Sequence, residues 1–374
     1  MPMQIAQEIA DFFAGKRDCE GTQEHPTGLF PGLSFDEYAA IKAINWSTLR
    51  WCGHTMRHFK YHWDHADSED TDATGLGRLF HLCLLEPEAA RERLIVTPRT
   101  YFTLESAQDG VTVKDAGDGT FIVASGRGKA RVEYSCRIIE EEGKAYIAGD
   151  APDGWARIIE KPWNGNANAC RRWLTDICDV GREVVSADDL ANACAMAAAV
   201  REIPDATEML DGADVEVTVV ASDPQTGLLC KARIDVLKGH QLGDAKSSSR
   251  GLAWESAART MKYYAYAGQA AFYRDLYDLA TGEKPEVPMF RFLFAESDPP
   301  HCAAVYDLFD VQGAVSQEWM DWGRSLYHSY LQQVAYCLRE GGWPGYNQPS
   351  ASVPPESMEL ALPDWLKLEQ GSLE

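Results

Sequence analysis

The chain has 374 residues, 45% hydrophobic and 25% charged, the proportions of a globular protein with one large or two modest domains. Its 35 basic and 57 acidic residues give a net charge of −22, which by itself speaks against a general nucleic-acid coat or an anionic-membrane binder. Ten scattered cysteines without a CxxC pair exclude a disulfide framework, and no run approaches 18 uninterrupted apolar residues. The first residues show neither a basic segment nor a long apolar core, so the expectation is a reduced, cytoplasmic protein with no membrane partner.

Residues 1–44 read as an N-terminal extension, a short amphipathic helix followed by a loop with Pro and Gly. Asn45–His62 reads as a helix with Ser47 as its N-cap. The acidic stretch Asp64–Asp72 carries five carboxylates, and Thr74–Glu86 then shows a helical apolar face. Residues 100–150 change character: Asp-Gly pairs at 109–110 and 118–119 separate alternating segments, a hairpin-like insertion. Ala167–Leu210 returns to a helical pattern.

The most regular stretch follows. Val215–Ala221, Leu228–Leu237 and Gln241–Lys246 alternate as strands joined by short turns, an antiparallel meander. One helix is expected over about Leu252–Leu279, strands over Met289–Ala295 and Ala303–Phe309, and a helix over Trp322–Arg339. Residues 45–349 thus read as one α/β domain, and 350–374 as an acidic tail with five acids against one Lys.

On the second meander strand, Lys231, Arg233 and Asp235 share one face while Cys230, Ala232, Ile234 and Val236 share the core face. On the third, Asp244 and Lys246 again share a face. A short hairpin would bring two carboxylates and an ammonium together at a sheet edge. Paired carboxylates suit a hard divalent cation, with the Ala245 carbonyl as a further oxygen ligand and Lys beside an attacking water. The plain alternative is a strand pair with cross-strand ion pairs.

Four blocks add company to that pair: Gly77-Arg-Leu-Phe-His81, Gly227-Leu-Leu-Cys-Lys-Ala-Arg-Ile-Asp235, Gly243-Asp-Ala-Lys246 and Gln269-Ala-Ala-Phe-Tyr273. In this order they resemble the G-x3-H, Asp, D/E-x-K and Q-x3-Y blocks of PD-(D/E)xK nucleases. The similarity is to the RecE/exonuclease VIII-like type of phage and bacteria, related to RecB-type nuclease domains, and spans about residues 45–346. It implies a restriction-endonuclease-like core, a central mixed sheet with an antiparallel meander flanked by helices. It further implies that His81, Asp235, Asp244 and the Ala245 carbonyl hold Mg²⁺ or Mn²⁺, with Lys246 acting on the attacking water. Gln269 and Tyr273, which lie on one helix face, would position the DNA strand. Lys231 and Arg233 are expected to contact DNA, and Glu216 on the neighbouring strand is a candidate further acid.

The activity so implied is metal-dependent exonucleolytic hydrolysis of double-stranded DNA ends. A single-strand annealing protein is the implied partner, and a homo-oligomeric ring the implied assembly. Rival readings are a structure-specific or single-strand endonuclease, and a non-catalytic DNA mimic suggested by the −22 charge. No iron–sulfur cluster is expected, because Cys302 and Cys337 are too far apart for the triplet that some RecB-type relatives carry.

The charge is unevenly spread. Thr226–Lys262 holds seven cations against three acids, a local +4, and Asn45–His62 adds Arg50, Arg57 and Lys60 with no acid, interleaved with Trp46, Trp51, Phe59 and Tyr61. His54, His58 and His62 could instead form a zinc stripe, although no HExxH accompanies them.

Overall fold

Alternating β-branched and aromatic residues build the strands of this protein, and apolar positions three and four apart build its helices. A computed structural model describes residues 27–65, 72–142, 144–178, 182–348, 350 and 356–357. The start of the 1–44 extension, the middle of the Asp64–Asp72 stretch and nearly all of the 350–374 tail lie outside the described residues. The chain forms two compact units, one of Met1–Gly75 with Ala198–Glu374, the other of Leu76–Ala197. Among the described residues no helix is long and apolar enough to cross a membrane.

Strand β1 (Gly28–Phe30) leads into α1 (Phe35–Ala40), which starts with a capping box of Ser34 and Glu37. Helix α2 (Trp46–Leu49) is capped by Asn45, whose side-chain oxygen accepts from the Thr48 amide at 2.9 Å. Ser47, the expected cap, lies inside α2 and donates its hydroxyl to Asn45. The expected single helix over Asn45–His62 is broken into α2, a 3₁₀ turn at Arg50–Gly53 and α3 (Met56–Asp64). Thr55 interrupts it, because its extended backbone and hydroxyl cap α3 instead of continuing the helix. Helix α4 (Asp72–Leu85) ends before α5 (Pro87–Arg93), whose proline occupies the first turn.

The second unit is largely antiparallel sheet. Its strands are β2 (Leu94–Val96), β3 (Thr100–Ser106), β4 (Val111–Asp115), β5 (Thr120–Ser125), β6 (Val132–Glu141), β7 (Lys144–Gly149) and β8 (Ala156–Pro162). Helix α6 (Asn168–Cys178), β9 (Glu183–Val185) and α7 (Ala187–Arg201) follow. Strands β4 to β7 form a meander, packed through Val111, Phe121, Val123 and Cys136 against Leu104 of β3. Gly110 and Gly119 of the two Asp-Gly pairs adopt φ of +80° and +90°, which only Gly takes without strain. The helical pattern expected over Ala167–Leu210 is interrupted by β9, where Val184 and Val185 pair with Ile95 and Val96.

The first unit resumes with α8 (Pro204–Leu210), β10 (Asp214–Ser222), β11 (Leu229–Lys238) and β12 (Gln241–Ser248). Helices α9 (Trp254–Tyr263) and α10 (Tyr266–Thr281), strands β13 (Met289–Glu296) and β14 (Ala303–Phe309) and helix α11 (Gln317–Glu340) complete it. The six-stranded sheet runs β1-β10-β11-β12-β13-β14, with β12 and β13 parallel and every other pair antiparallel. Helix α10 packs on β1, β10 and β11 and against α11. Val217, Val219, Ala232, Ile234, Phe290 and Phe292 meet Ala267, Ala270, Phe272 and Leu276 of α10 in one core. Where α10 and α11 cross, a Cβ on Gly323 would stand 2.1 Å from the Ala267 carbonyl oxygen, so Gly is required there.

The single helix expected over Leu252–Leu279 is two. Ala265 takes a left-handed conformation, φ +54°, and turns the chain between α9 and α10. That break directs α10, which carries Gln269 and Tyr273, across the sheet. Helix α10 is tied to α11 by Arg324, which donates to both oxygens of Asp275 and to Asp310, while the Tyr327 hydroxyl donates to Asp275 at 2.6 Å.

Candidate active site

Strands β11 and β12 lie in the middle of the sheet, so the acidic pair is interior and not at the expected sheet edge. Their ladder runs through Lys238↔Gln241, Leu237↔Leu242 and Val236↔Gly243 and then opens. The next opposed residues are Asp235 and Asp244. In place of a backbone bond, Asp235 Oδ2 accepts from the Ala245 amide at 2.8 Å. Strand β12 meanwhile continues along β13, with Asp244 beside Phe292 and Lys246 beside Phe294. The sheet therefore splits at the acids, and a polar pocket can exist inside an otherwise apolar core.

Asp244 is 1% exposed. Gln269 of α10 donates its amide to Asp244 Oδ1 at 2.6 Å. Asp244 Oδ2 faces the Lys246 ammonium as an ion pair but receives no directed hydrogen bond. A buried carboxylate oxygen held only by an ion pair keeps a lone pair that can ligate a divalent cation beside the ammonium.

Glu216 lies opposite Asp235 across the β10–β11 pair, and a carboxylate oxygen of each comes within 4.8 Å of the other. Its backbone is held at φ +54°, a strained conformation for a non-Gly residue within a strand, of the kind that collects at functional sites. Burial first, then the Asp244 and Glu216 carboxylates, raise the Asp235 carboxyl well above its ordinary value, against the Lys246 ammonium and the Ala245 amide. Burial alone would depress the Lys246 ammonium, but Asp244 and Asp235 carry it above its ordinary value. Three carboxylates packed with the Lys246 ammonium and, at Glu216, the Arg233 guanidinium leave one negative charge in excess, which a divalent ion fits.

Tyr273 is half-buried beside Phe290, and its hydroxyl shares a hydrogen bond with Gln269. Gln269 and Tyr273 thus brace Asp244 from behind, a contact that spacing alone did not reveal. Tyr266, not singled out from the sequence, lies with its ring 5.2 Å from Lys246 Nζ. Its position as the first residue of α10 becomes meaningful only once the helix break at Ala265 is known.

Lys231 and Arg233, expected on the DNA face, are placed as structural cations. Lys231 is 4% exposed and donates to the carbonyls of Tyr38, Ala39 and Ile41, closing the C-terminal end of α1. Its ammonium also stands 4.3 Å over the Tyr38 ring. Burial pushes it down to about 8, so it remains charged at neutral pH. Arg233 donates to Glu216 and, at 2.9 Å, to the Leu33 carbonyl. The alternation of β11 put both cations on the polar face correctly, but that face is covered by the α1 segment and not by solvent. Lys231→Met is expected to leave these carbonyls unsatisfied and to destabilise the protein by about 2 kcal/mol, read from its urea midpoint.

His81 lies half-buried on α4, in the second unit. His54, His58 and His62 do not converge as a zinc stripe among the described residues. The His62 ring stacks on Trp51 at 3.9 Å, and His58 Nδ1 pairs with the Thr55 hydroxyl at 2.8 Å. Eight of the cysteines have a described state and all eight are free thiols, Cys194 and Cys302 among them exposed.

Residues 172–351 match the family described as "PDDEXK-like domain of unknown function". No curated protein matches the chain. A solved structure named "Putative exonuclease", from Eubacterium rectale, is 14% identical and covers 54% of this chain and 74% of that one, with a TM-score of 0.35.

Proposed function

Because residues 172–351 of this chain are a PD-(D/E)xK-like domain with a restriction-endonuclease-like core, we propose that the protein is a metal-dependent deoxyribonuclease acting on the ends of double-stranded DNA. The observation that carries this reading is the buried Asp244 oxygen, paired with Lys246, lacking a directed hydrogen bond and crowded by Asp235.

Asp244, Asp235 and Glu216 offer the oxygen ligands for Mg²⁺ or Mn²⁺, and the resemblance adds the Ala245 carbonyl. When bound, such an ion supplies Lewis-acid polarisation of a phosphodiester and acidifies water. Gln269 fixes one oxygen of Asp244 and so aims the other, as outer partners of metal ligands do. Lys246, steadied by the Tyr266 ring, holds a charged ammonium at the carboxylates, where it orients the attacking water and balances charge building on the phosphate. Gln269 and Tyr273 then act on DNA through the position of Asp244.

Action from DNA ends, a single-strand annealing partner in recombination and a ring-shaped homo-oligomer are the finer parts of the proposal and rest on the resemblance. A DNA mimic needs neither the buried Asp244–Lys246 pair nor its Gln269 brace. End-labelled linear duplex and covalently closed circles, each with Mg²⁺, Mn²⁺ or EDTA, test the proposal. The expected result is loss of linear DNA with either metal, none in EDTA, and intact circles. Nicked or linearised circles would instead identify an endonuclease, and intact linear DNA under all conditions would remove the nuclease reading.

A further inference from the structure

Lys246 is the inner end of a file of aromatic rings that reaches the protein surface. The Tyr266 ring, anchored on Phe292 and Phe294 of β13, lies beside Lys246 Nζ. Tyr264 stacks on Tyr266 with centroids 5.4 Å apart and planes 20° from parallel. Tyr263 meets Tyr264 edge-on at 4.8 Å, is 69% exposed, and carries the Arg250 guanidinium 5.1 Å over its face. The file exists because Ala265 turns the chain between α9 and α10, which places three tyrosines within four residues around one corner.

We propose that Tyr263, Tyr264 and Arg250 form a track on which an unpaired end of the substrate stacks its bases while its backbone runs toward Lys246. The inference rests on the nuclease reading of that site and adds the form of nucleic acid that it receives. Bases in a duplex already have both faces covered, so the Tyr263 ring, exposed although Arg250 lies over one face, selects unpaired ones. Cations to meet a phosphate backbone are present: Arg250, Arg259 and Lys262 have no carboxylate partner among the described residues, while Glu255 of α9 and, in the small pocket beside Arg250, Glu296 and Asp298 are the acids of this corner. On a chain of net charge −22, such unpaired cations interleaved with rings are the pattern of a single-strand groove. A protein-binding patch would be depleted of charge at its centre.

The test is fluorescence anisotropy of a labelled oligothymidylate in EDTA, where metal-dependent cleavage is prevented. Wild type is expected to bind it more tightly than a blunt duplex of equal length. Tyr263→Ala should weaken single-strand binding about tenfold, the loss of one stacked base. Arg250→Glu should also weaken it and lower the dependence on salt, as loss of a phosphate contact does. Circular dichroism of both variants, changed only at exposed side chains, confirms that they fold. Unchanged single-strand binding by both folded variants overturns the track, even if wild type cleaves DNA. A change in their elution on size-exclusion chromatography without a change in oligonucleotide binding would also overturn it, and assign the rings to a protein contact. If instead wild type binds through Tyr263 but cleaves no DNA with any metal, the track stands and the nuclease reading fails.

Discussion

Asp235→Asn is expected to reduce strand cleavage about a thousandfold or more and, in the absence of metal, to make the protein more stable. The two effects share one cause. Asp235 is buried opposite Asp244 and within 4.8 Å of Glu216, so its charge is unfavourable until a cation joins the three carboxylates. An amide at the same position still accepts from the Ala245 N–H but adds no charge. Removing that repulsion should stabilise the metal-free fold, because the neutral amide no longer faces two neighbouring carboxylates.

The pH dependence follows from the same carboxyl. Its folded pKa is raised above the ordinary 3.8, so the stability it contributes is complete below that value and is lost as pH climbs through the folded value. The melting temperature of wild type in EDTA should therefore fall relative to that of Asp235→Asn as pH rises above about 4. Saturating Mg²⁺ should reverse the order: at about a hundredfold over Kd it stabilises wild type by about 2.7 kcal/mol. The variant should gain much less. Calorimetry at several pH values, with and without Mg²⁺, reads all three comparisons. A variant less stable than wild type in EDTA would show that the acids are not crowded.

Arg324→Met is expected to destabilise the protein by about 3 kcal/mol, although it lies outside the acidic site. Its guanidinium bridges Asp275 and Asp310, and its removal leaves two carboxylates sharing a partly buried pocket without a cation. Asp275 belongs to α10, the helix that sets Gln269 against Asp244, so kcat should fall even at temperatures where the variant is folded. Arg324→Lys should recover only part of the loss, because an ammonium cannot reach both carboxylates in the forked manner of a guanidinium. Urea denaturation gives the stability, and cleavage well below the melting temperature gives the effect on kcat. Wild-type stability in Arg324→Met would contradict this account of the α10–α11 contact.

Much of the site was legible because strand alternation is a strict geometric rule. Once Leu229–Lys238 and Gln241–Ser248 are strands joined by Gly239-His240, the faces of Asp235, Asp244 and Lys246 are fixed, and the hairpin sets the first two opposite each other. Glu216 was harder to judge, since its place depends on the register of β10 and on a backbone conformation that nothing in Val-Glu-Val announces. The fate of Lys231 and Arg233 was not legible at all. Alternation says which face a side chain takes but not what covers that face, and α1 arrives from almost 200 residues away. The helix break at Ala265 was missed for a related reason: Ala is a strong helix former, and tertiary packing of Tyr264 on Tyr266 overrides that preference. The net charge of −22 likewise described the chain and not the site, where cations gather around the acids.

The most direct test of the central claim compares wild type with Lys246→Ala on end-labelled linear duplex in Mg²⁺. Lys246 pairs with Asp244 at the opened ladder, so its loss removes the charge beside the attacking water and leaves the acids more crowded until Mg²⁺ joins them. Circular dichroism in Mg²⁺ checks that the variant is folded. The expected result is degradation by wild type, abolished by EDTA, and a folded Lys246→Ala protein slower by about a thousandfold or more. Degradation by Lys246→Ala at the wild-type rate would contradict the assignment of catalysis to this site.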